Sequence, residues 1–152
     1  MGMFYSVYCK KCGYRNYLNH GYGFLYEETY SEAMNDGKEG KLGEEIKNFL
    51  LMNPEGILDV EFRIAQCQKC GEYASVKALD MYVPDKTVPK CIKKFVFPGE
   101  IGYYYKLYKE FPHKCKKCHG IMKLIPKIND YNLKCPNCGD VTLECRDEMS
   151  WS

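Results

Sequence analysis

Residues 115–138 read CKKCHGIMKLIPKINDYNLKCPNC. Two Cys-x-x-Cys pairs bracket 16 residues, and two further pairs stand at Cys9/Cys12 and Cys67/Cys70. Two thiolates two residues apart grip one ion when the backbone between them makes a tight turn. The residue after the second Cys then often needs a positive φ, which Gly supplies without steric cost. Three of the four pairs are followed by Gly (CKKCG, CQKCG and CPNCG), while CKKCH has Gly120 one residue later. Each turn offers half of a tetrahedral site, so two turns complete one. Four half-sites imply two closed four-cysteine sites with Cys9, Cys12, Cys67, Cys70, Cys115, Cys118, Cys135 and Cys138 as ligands.

The spacing at 115–138 falls in the range that reads as zinc. The same ligands also suit an iron–sulfur cluster or another soft metal. A thioredoxin-like redox motif belongs in a strand-to-helix turn, whereas strand-like sequence follows each pair here. His119, directly after Cys118, is an alternative ligand to a thiolate. His20 and His113 read as surface or turn residues. Cys91 and Cys145 stand outside the pairs and read as buried, inert thiols, since free Cys behaves as a small hydrophobe.

A chain of 152 residues makes one ordinary domain or two small ones. No run of 18 apolar residues is present, so no membrane span is expected. The N-terminal stretch lacks the pattern of a secretory signal, so the expectation is a reducing, cytoplasmic setting, where paired cysteines usually bind metal or do redox chemistry rather than form structural disulfides. Net charge is +2, unevenly spread: residues 81–134 carry 12 Lys against 4 acids, with no Arg.

Coarse periodicity gives an α+β chain. Met3–Tyr8 reads as a strand entering the first Cys turn, and YRNYLNHGYG after Cys12 reads as strand then turn. Tyr26, Tyr30, Ala33 and Met34 fall on one helical face, with NDG at 35–37 as the stop. Leu42, Ile46, Phe49 and Leu50 repeat the spacing. Glu44 and Glu45 sit in that first turn, where the helix dipole favours them, and Asn53-Pro54 ends the helix. ILDVEFRIAQ alternates cleanly, with Leu58, Val60, Phe62 and Ile64 on one side and Asp59, Glu61 and Arg63 on the other. YASVKALDMYV, IKKFVF, IMKLI and VTLEC are strand-like, and GYYYKLYKEFP is ambiguous between helix and strand. On VTLEC, Cys145 alternates with Val141 and Leu143 as a core-facing set.

Over the last 40 or so residues the chain resembles the zinc-ribbon family, through Cys115, Cys118, Cys135 and Cys138 and the segments IMKLI and VTLEC after the two turns. In that family the turns cap β-hairpins and hold zinc structurally. The resemblance implies a small, bacterial-type protein of two antiparallel ribbons, each built from consecutive Cys pairs, with two Zn²⁺ as cofactors. Three pairings of the half-sites exist, and loop closure barely separates them: closing 44 residues rather than 16 costs only about 0.9 kcal/mol more. With consecutive pairing, residues 1–83 form one ribbon with a helical-hairpin insertion at about 24–54. Residues 84–102 are then a connector and 103–152 the second ribbon. Units this small bury too little surface to be secure without a staple, and structural zinc supplies one.

No nucleophile–base pair, phosphate-binding loop or dinucleotide fingerprint stands out, so the expectation is a non-enzymatic interaction module with a protein partner and no small-molecule substrate. The alternative is nucleic-acid binding through the Lys/Tyr-rich segment 86–117. Its candidates are Lys90, Lys93, Lys94, Lys106, Lys109, Tyr104 and Tyr105, with lysines on phosphates and rings on bases. The absence of Arg there counts against base-specific readout.

Overall fold

The computed structural model describes residues 2–23, 25–85, 96, 98–125, 133–141 and 143–151, with backbone alone for 146–151. The chain is α+β, with antiparallel sheets and, among the described residues, three helices. It divides into two units. Unit 1 comprises Met1–Gly23, Phe62–Lys77 and Pro112–Ser152; unit 2 comprises Phe24–Glu61 and Ala78–Phe111. The chain therefore passes from one unit to the other four times. This differs from the expected division at 83 and 102. That expectation assumed that neighbours in sequence share a metal site, and strand pairing overrides it.

Unit 1 is built from the Cys turns outward. Strands β1 (Gly2–Cys9) and β2 (Arg15–His20) form a hairpin around the first turn. The far end of the chain returns as β10 (Leu143–Trp151) and pairs with β1 from Gly2 opposite Trp151 to Cys9 opposite Leu143. Strands β4 (Phe62–Cys67) and β5 (Tyr73–Lys77) flank the second turn, and β8 (His113–Lys114) and β9 (Ile121–Ile125) flank the third. These four make a sheet in the order β5-β4-β9-β8, with Ile64 to Cys67 of β4 opposite Ile125 to Met122 of β9.

The two sheets share a core in which Val7 and Leu18 meet Ile64, Tyr73 and Leu133. Ile64 and Ala65 are neighbours pointing to opposite faces, yet both are buried, as befits an inner strand covered on each side. Polar groups link the sheets as well. Asn16 Nδ2 donates to the Tyr73 carbonyl at 2.9 Å, Tyr73 Oη donates to the Lys134 carbonyl at 2.9 Å, and Tyr14 Oη donates to Glu72. Cys145 packs against this core beside Leu143, as expected, whereas Val141 is exposed and not part of it.

Unit 2 holds α1 (Tyr26–Glu39), α2 (Glu44–Met52), β3 (Ile57–Leu58), β6 (Met81–Pro84), α3 (Pro98–Tyr104) and β7 (Tyr105–Lys109), its strands ordered β3-β6-β7. Tyr26, Tyr30 and Ala33 are buried along α1, and Ile46, Phe49 and Leu50 along α2, as the periodicity requires. Burying side chains such as Ile46 and Leu58 fully contributes about 1.5–3 kcal/mol each. The ambiguous segment is both structures in succession, since α3 runs straight into β7.

Helix α1 does not stop at NDG. It runs through Gly37 and ends at Gly40, whose φ of 85° places it in the left-handed region and whose N–H reaches the Asp36 and Gly37 carbonyls. Gly37 serves close packing instead. A β-carbon there would stand 2.8 Å from Leu50 Cδ1 and 3.0 Å from Ile46 Cγ2.

The segment ILDVEFRIAQ is not one strand. It breaks at 59–61, with Leu58 in unit 2 and Phe62 onward in unit 1. Asp59, expected to face solvent, is buried. Its Oδ1 accepts the Glu61 N–H at 3.0 Å, and its backbone N–H donates to the Asp80 carbonyl at 3.0 Å. This local turn supplies the break that the alternating pattern conceals.

Candidate metal centres

Each Cys turn uses the same two backbone bonds. The N–H of the first Cys donates to the carbonyl five residues on: Cys9 to Tyr14, Cys67 to Glu72, Cys115 to Gly120 and Cys135 to Asp140, at 2.8–2.9 Å. The N–H four residues after that Cys donates back to its carbonyl: Gly13, Gly71, His119 and Gly139, at 2.8–3.0 Å. That fourth residue has positive φ in every case: 81° at Gly13, 79° at Gly71, 62° at His119 and 77° at Gly139. His119 is thus an exposed turn residue in the position that Gly fills elsewhere, and Cys118 takes the ligand position.

The eight cysteines form two clusters of four: Cys9, Cys12, Cys135 and Cys138 (site I) and Cys67, Cys70, Cys115 and Cys118 (site II), with all sulfurs in a cluster within 4.8 Å of one another. The eight residues are those the spacing named, but the pairing is nested rather than consecutive. The outer turns meet each other, and so do the inner ones. The reason is strand pairing. Eight residues of β1 pair with β10, with one register shift between Phe4 and Tyr5, carrying Cys9 to Leu143, and β4 carries Cys67 to Met122 of β9. Loop closure disfavours the nested pairing by only about 1–2 kcal/mol, and a ladder of that length outweighs it. The helices α1 and α2 do lie between the first and second turns in sequence, but those turns serve different clusters.

Across the clusters, Cys9 Sγ lies 3.7 Å from Cys138 Sγ, and Cys12 Sγ lies 3.3 Å from Cys135 Sγ. In site II the corresponding separations are 3.4 Å for Cys67–Cys118 and 3.7 Å for Cys70–Cys115. A disulfide needs about 2.05 Å. A tetrahedron with metal–sulfur bonds of about 2.3 Å has sulfur–sulfur edges of about 3.8 Å. Both clusters therefore fit a thiophilic ion.

The electrostatics ask for a cation. In site II the Cys70 and Lys69 backbone N–H groups, each 3.4 Å from Cys67 Sγ, favour its thiolate. The Cys70 N–H leads in lowering the Cys67 pKa to about 6 against the opposing cost of burial. Cys70 goes the other way: the Glu72 backbone N–H pulls its pKa down, but burial and shared protons with Cys118, Cys67 and Cys115 push it up to about 12. In site I the Tyr14 N–H lowers the Cys12 pKa, while the proton shared with Cys135 and burial raise it to about 11. Four thiolates this close cannot all ionise alone, and a divalent ion removes the conflict.

The clusters differ in cover. In both, the first Cys of each turn is buried. The second is exposed in site I (Cys12 and Cys138) and half-buried in site II (Cys70 and Cys118). Gly120 closes site II, for a β-carbon there would stand 2.7 Å from Lys69 Cβ and 3.0 Å from Cys67 Sγ. At site I, lysines of the first turn answer to acids: Lys10 pairs with Glu144 at 2.6 Å and Lys11 with Asp140.

The other candidates are scattered. Lys90, Lys93, Lys94 and Cys91 lie outside the described residues, as does all but Val96 of the IKKFVF segment. Lys106 and Lys109 are exposed on β7, and Lys109 pairs with Glu45 at 2.5 Å. Tyr104 is half-buried and meets Tyr103 edge to face at 4.6 Å; Tyr105 is half-buried too, and burial raises its pKa. His113, expected on the surface, is buried on β8, and His20 is half-buried, with burial and then the Arg63 charge lowering its pKa.

The order of charges along the chain gives no warning of how charge divides in space. Unit 1 carries 13 Lys and Arg against 6 Asp and Glu, and unit 2 carries 9 against 14. Lys114, Lys116 and Lys117 belong to unit 1, whereas Lys106 and Lys109 belong to the acidic unit 2. No helix is long and apolar enough to cross a membrane among the described residues. No family model, no curated protein and no solved structure matches the chain.

Proposed function

We propose that this chain is a non-enzymatic, zinc-stapled interaction protein of a reducing compartment such as the cytoplasm, with two structural Zn²⁺ ions in zinc-ribbon modules. The carrying observation is the pair of four-cysteine clusters with edges of 3.3–3.7 Å. Four sulfurs saturate a tetrahedral ion, leaving no position for a reacting water. The hairpins β1–β2, β4–β5 and β8–β9 around three of the four Cys turns match what a structural ribbon needs.

A protein partner fits the surface of unit 2. Among the described residues, six large apolar side chains stand exposed there: Leu25, Leu51, Met52, Tyr103, Leu107 and Tyr108. Met52 is 81% exposed, a cost that a binding surface justifies. Metal analysis of purified protein should give two zinc ions per chain, and strong chelator should unfold the sheets of unit 1. Fewer than one ion per chain in a stably folded protein would end this reading. Partner capture should be lost in Met52→Glu and Leu107→Glu variants that keep both ions.

A further inference from the structure

The outer face of the β1–β2 hairpin is a stacking platform. Val7 and Leu18 enter the core, so the alternate positions on the two strands face away from it. Those positions are Phe4, Ser6 and Tyr8 on β1 and Arg15, Tyr17 and Asn19 on β2, with Ser6 opposite Tyr17 and Tyr8 opposite Arg15. The rings of Phe4 and Tyr17 lie nearly parallel, 11° apart, with centroids 5.7 Å from each other. The Arg15 guanidinium sits 6.0 Å over the Tyr8 ring. Tyr17 is 58% exposed and Arg15 is exposed. The alternation puts three aromatic rings and a cation on the side of the hairpin that the core does not use.

Charge selects the occupant. All three arginines of the chain, Arg15, Arg63 and Arg146, lie in unit 1, whose 13 basic groups exceed its 6 acids. The backbone register also places position 146 opposite Ser6, and Glu144, whose charge Lys10 answers at 2.6 Å, opposite Tyr8. With two zinc ions on eight thiolates, unit 1 keeps a charge of about +3. Ring faces accept unpaired bases of any sequence, and Arg adds both a phosphate contact and a stacking plane. A duplex hides its base faces and can use the cation alone.

We propose that this face binds single-stranded nucleic acid, with bases stacked on Tyr17, Phe4 and Tyr8 and a phosphate on Arg15. The inference is independent of the protein-partner surface on unit 2.

The test is fluorescence anisotropy of the zinc-loaded full chain with labelled 12-nucleotide dT and U oligomers at about 50 and 200 mM salt. Binding should weaken with salt. Tyr17→Ala should weaken it tenfold or more and Tyr17→Phe should restore it, each variant keeping two metal ions per chain. Arg15→Gln should weaken it and flatten the salt dependence. Lys106→Glu with Lys109→Glu should leave it unchanged. Four results would overturn the proposal: no binding at 50 mM salt, no effect of Tyr17→Ala, equal loss in the Lys106/Lys109 variant, or an acidic peptide competing as well as the oligomers. Each of these leaves the metal content, and hence the stapled scaffold, untouched.

Discussion

Cys12 and Cys135 stand 123 positions apart in sequence, yet their sulfurs are 3.3 Å apart. This pairing separates the nested arrangement from the consecutive one. A Cys9→Ser, Cys135→Ser double variant removes two ligands from site I and none from site II. It should retain one metal ion per chain. Consecutive pairing would instead cripple both sites, so near-zero metal content by elemental analysis is the contrary result.

Gly120 packs its backbone against site II, with no room for a β-carbon beside Cys67 Sγ and Lys69 Cβ. Its N–H also points to Cys118 Sγ at 3.4 Å. Gly120→Ala should lower metal affinity at site II about 10- to 100-fold, the range seen when groups supporting the ligands are disturbed. Site I should be unaffected. Chelator competition followed by cobalt absorption resolves the two sites as separate phases.

Gly37 provides a test of sign. In an exposed helix, Gly→Ala stabilises by about 1 kcal/mol. Here the new methyl would meet Leu50 and Ile46 at 3.0 Å or less, so crowding of about 1–3 kcal/mol should win. Denaturant unfolding followed by helical circular dichroism should show Gly37→Ala destabilised. A gain in stability would show that α1 and α2 move apart freely.

Burial raises the pKa values of Tyr30 and Tyr105 above the ordinary tyrosine value of 10.0, with the neighbouring Tyr105 adding to the effect at Tyr30. Folding therefore holds both in the neutral form. The stability this represents is complete below pH of about 10 and is lost as pH climbs through their higher native values. Alkaline titration should show tyrosinate absorbance appearing late for these residues, together with loss of the helical signal. Tyr30→Phe should delay that loss.

The ligands and hairpins are legible in the sequence because they follow from local rules: a two-residue gap, a residue with positive φ, and alternating strands. His119 shows that even the glycine rule is a preference, for it adopts a φ of 62° in an otherwise identical turn. Which turn meets which is not legible, because that is decided by the β1–β10 and β4–β9 ladders, between segments far apart in sequence. Two local signals also mislead. Gly37 reads as a helix stop and is a packing contact. Asp59 reads as the outward member of an alternating strand and is the turn that ends it.

The nested order has a consequence for biosynthesis. Cys9 and Cys12 emerge early, but their partners are made more than a hundred residues later. At synthesis rates of about 5–20 residues per second, the first turn waits roughly 6–25 s with bare thiols. Through that interval a nascent chain depends on cellular reductant, or on a metal ion held provisionally, to keep those sulfurs from the wrong bond.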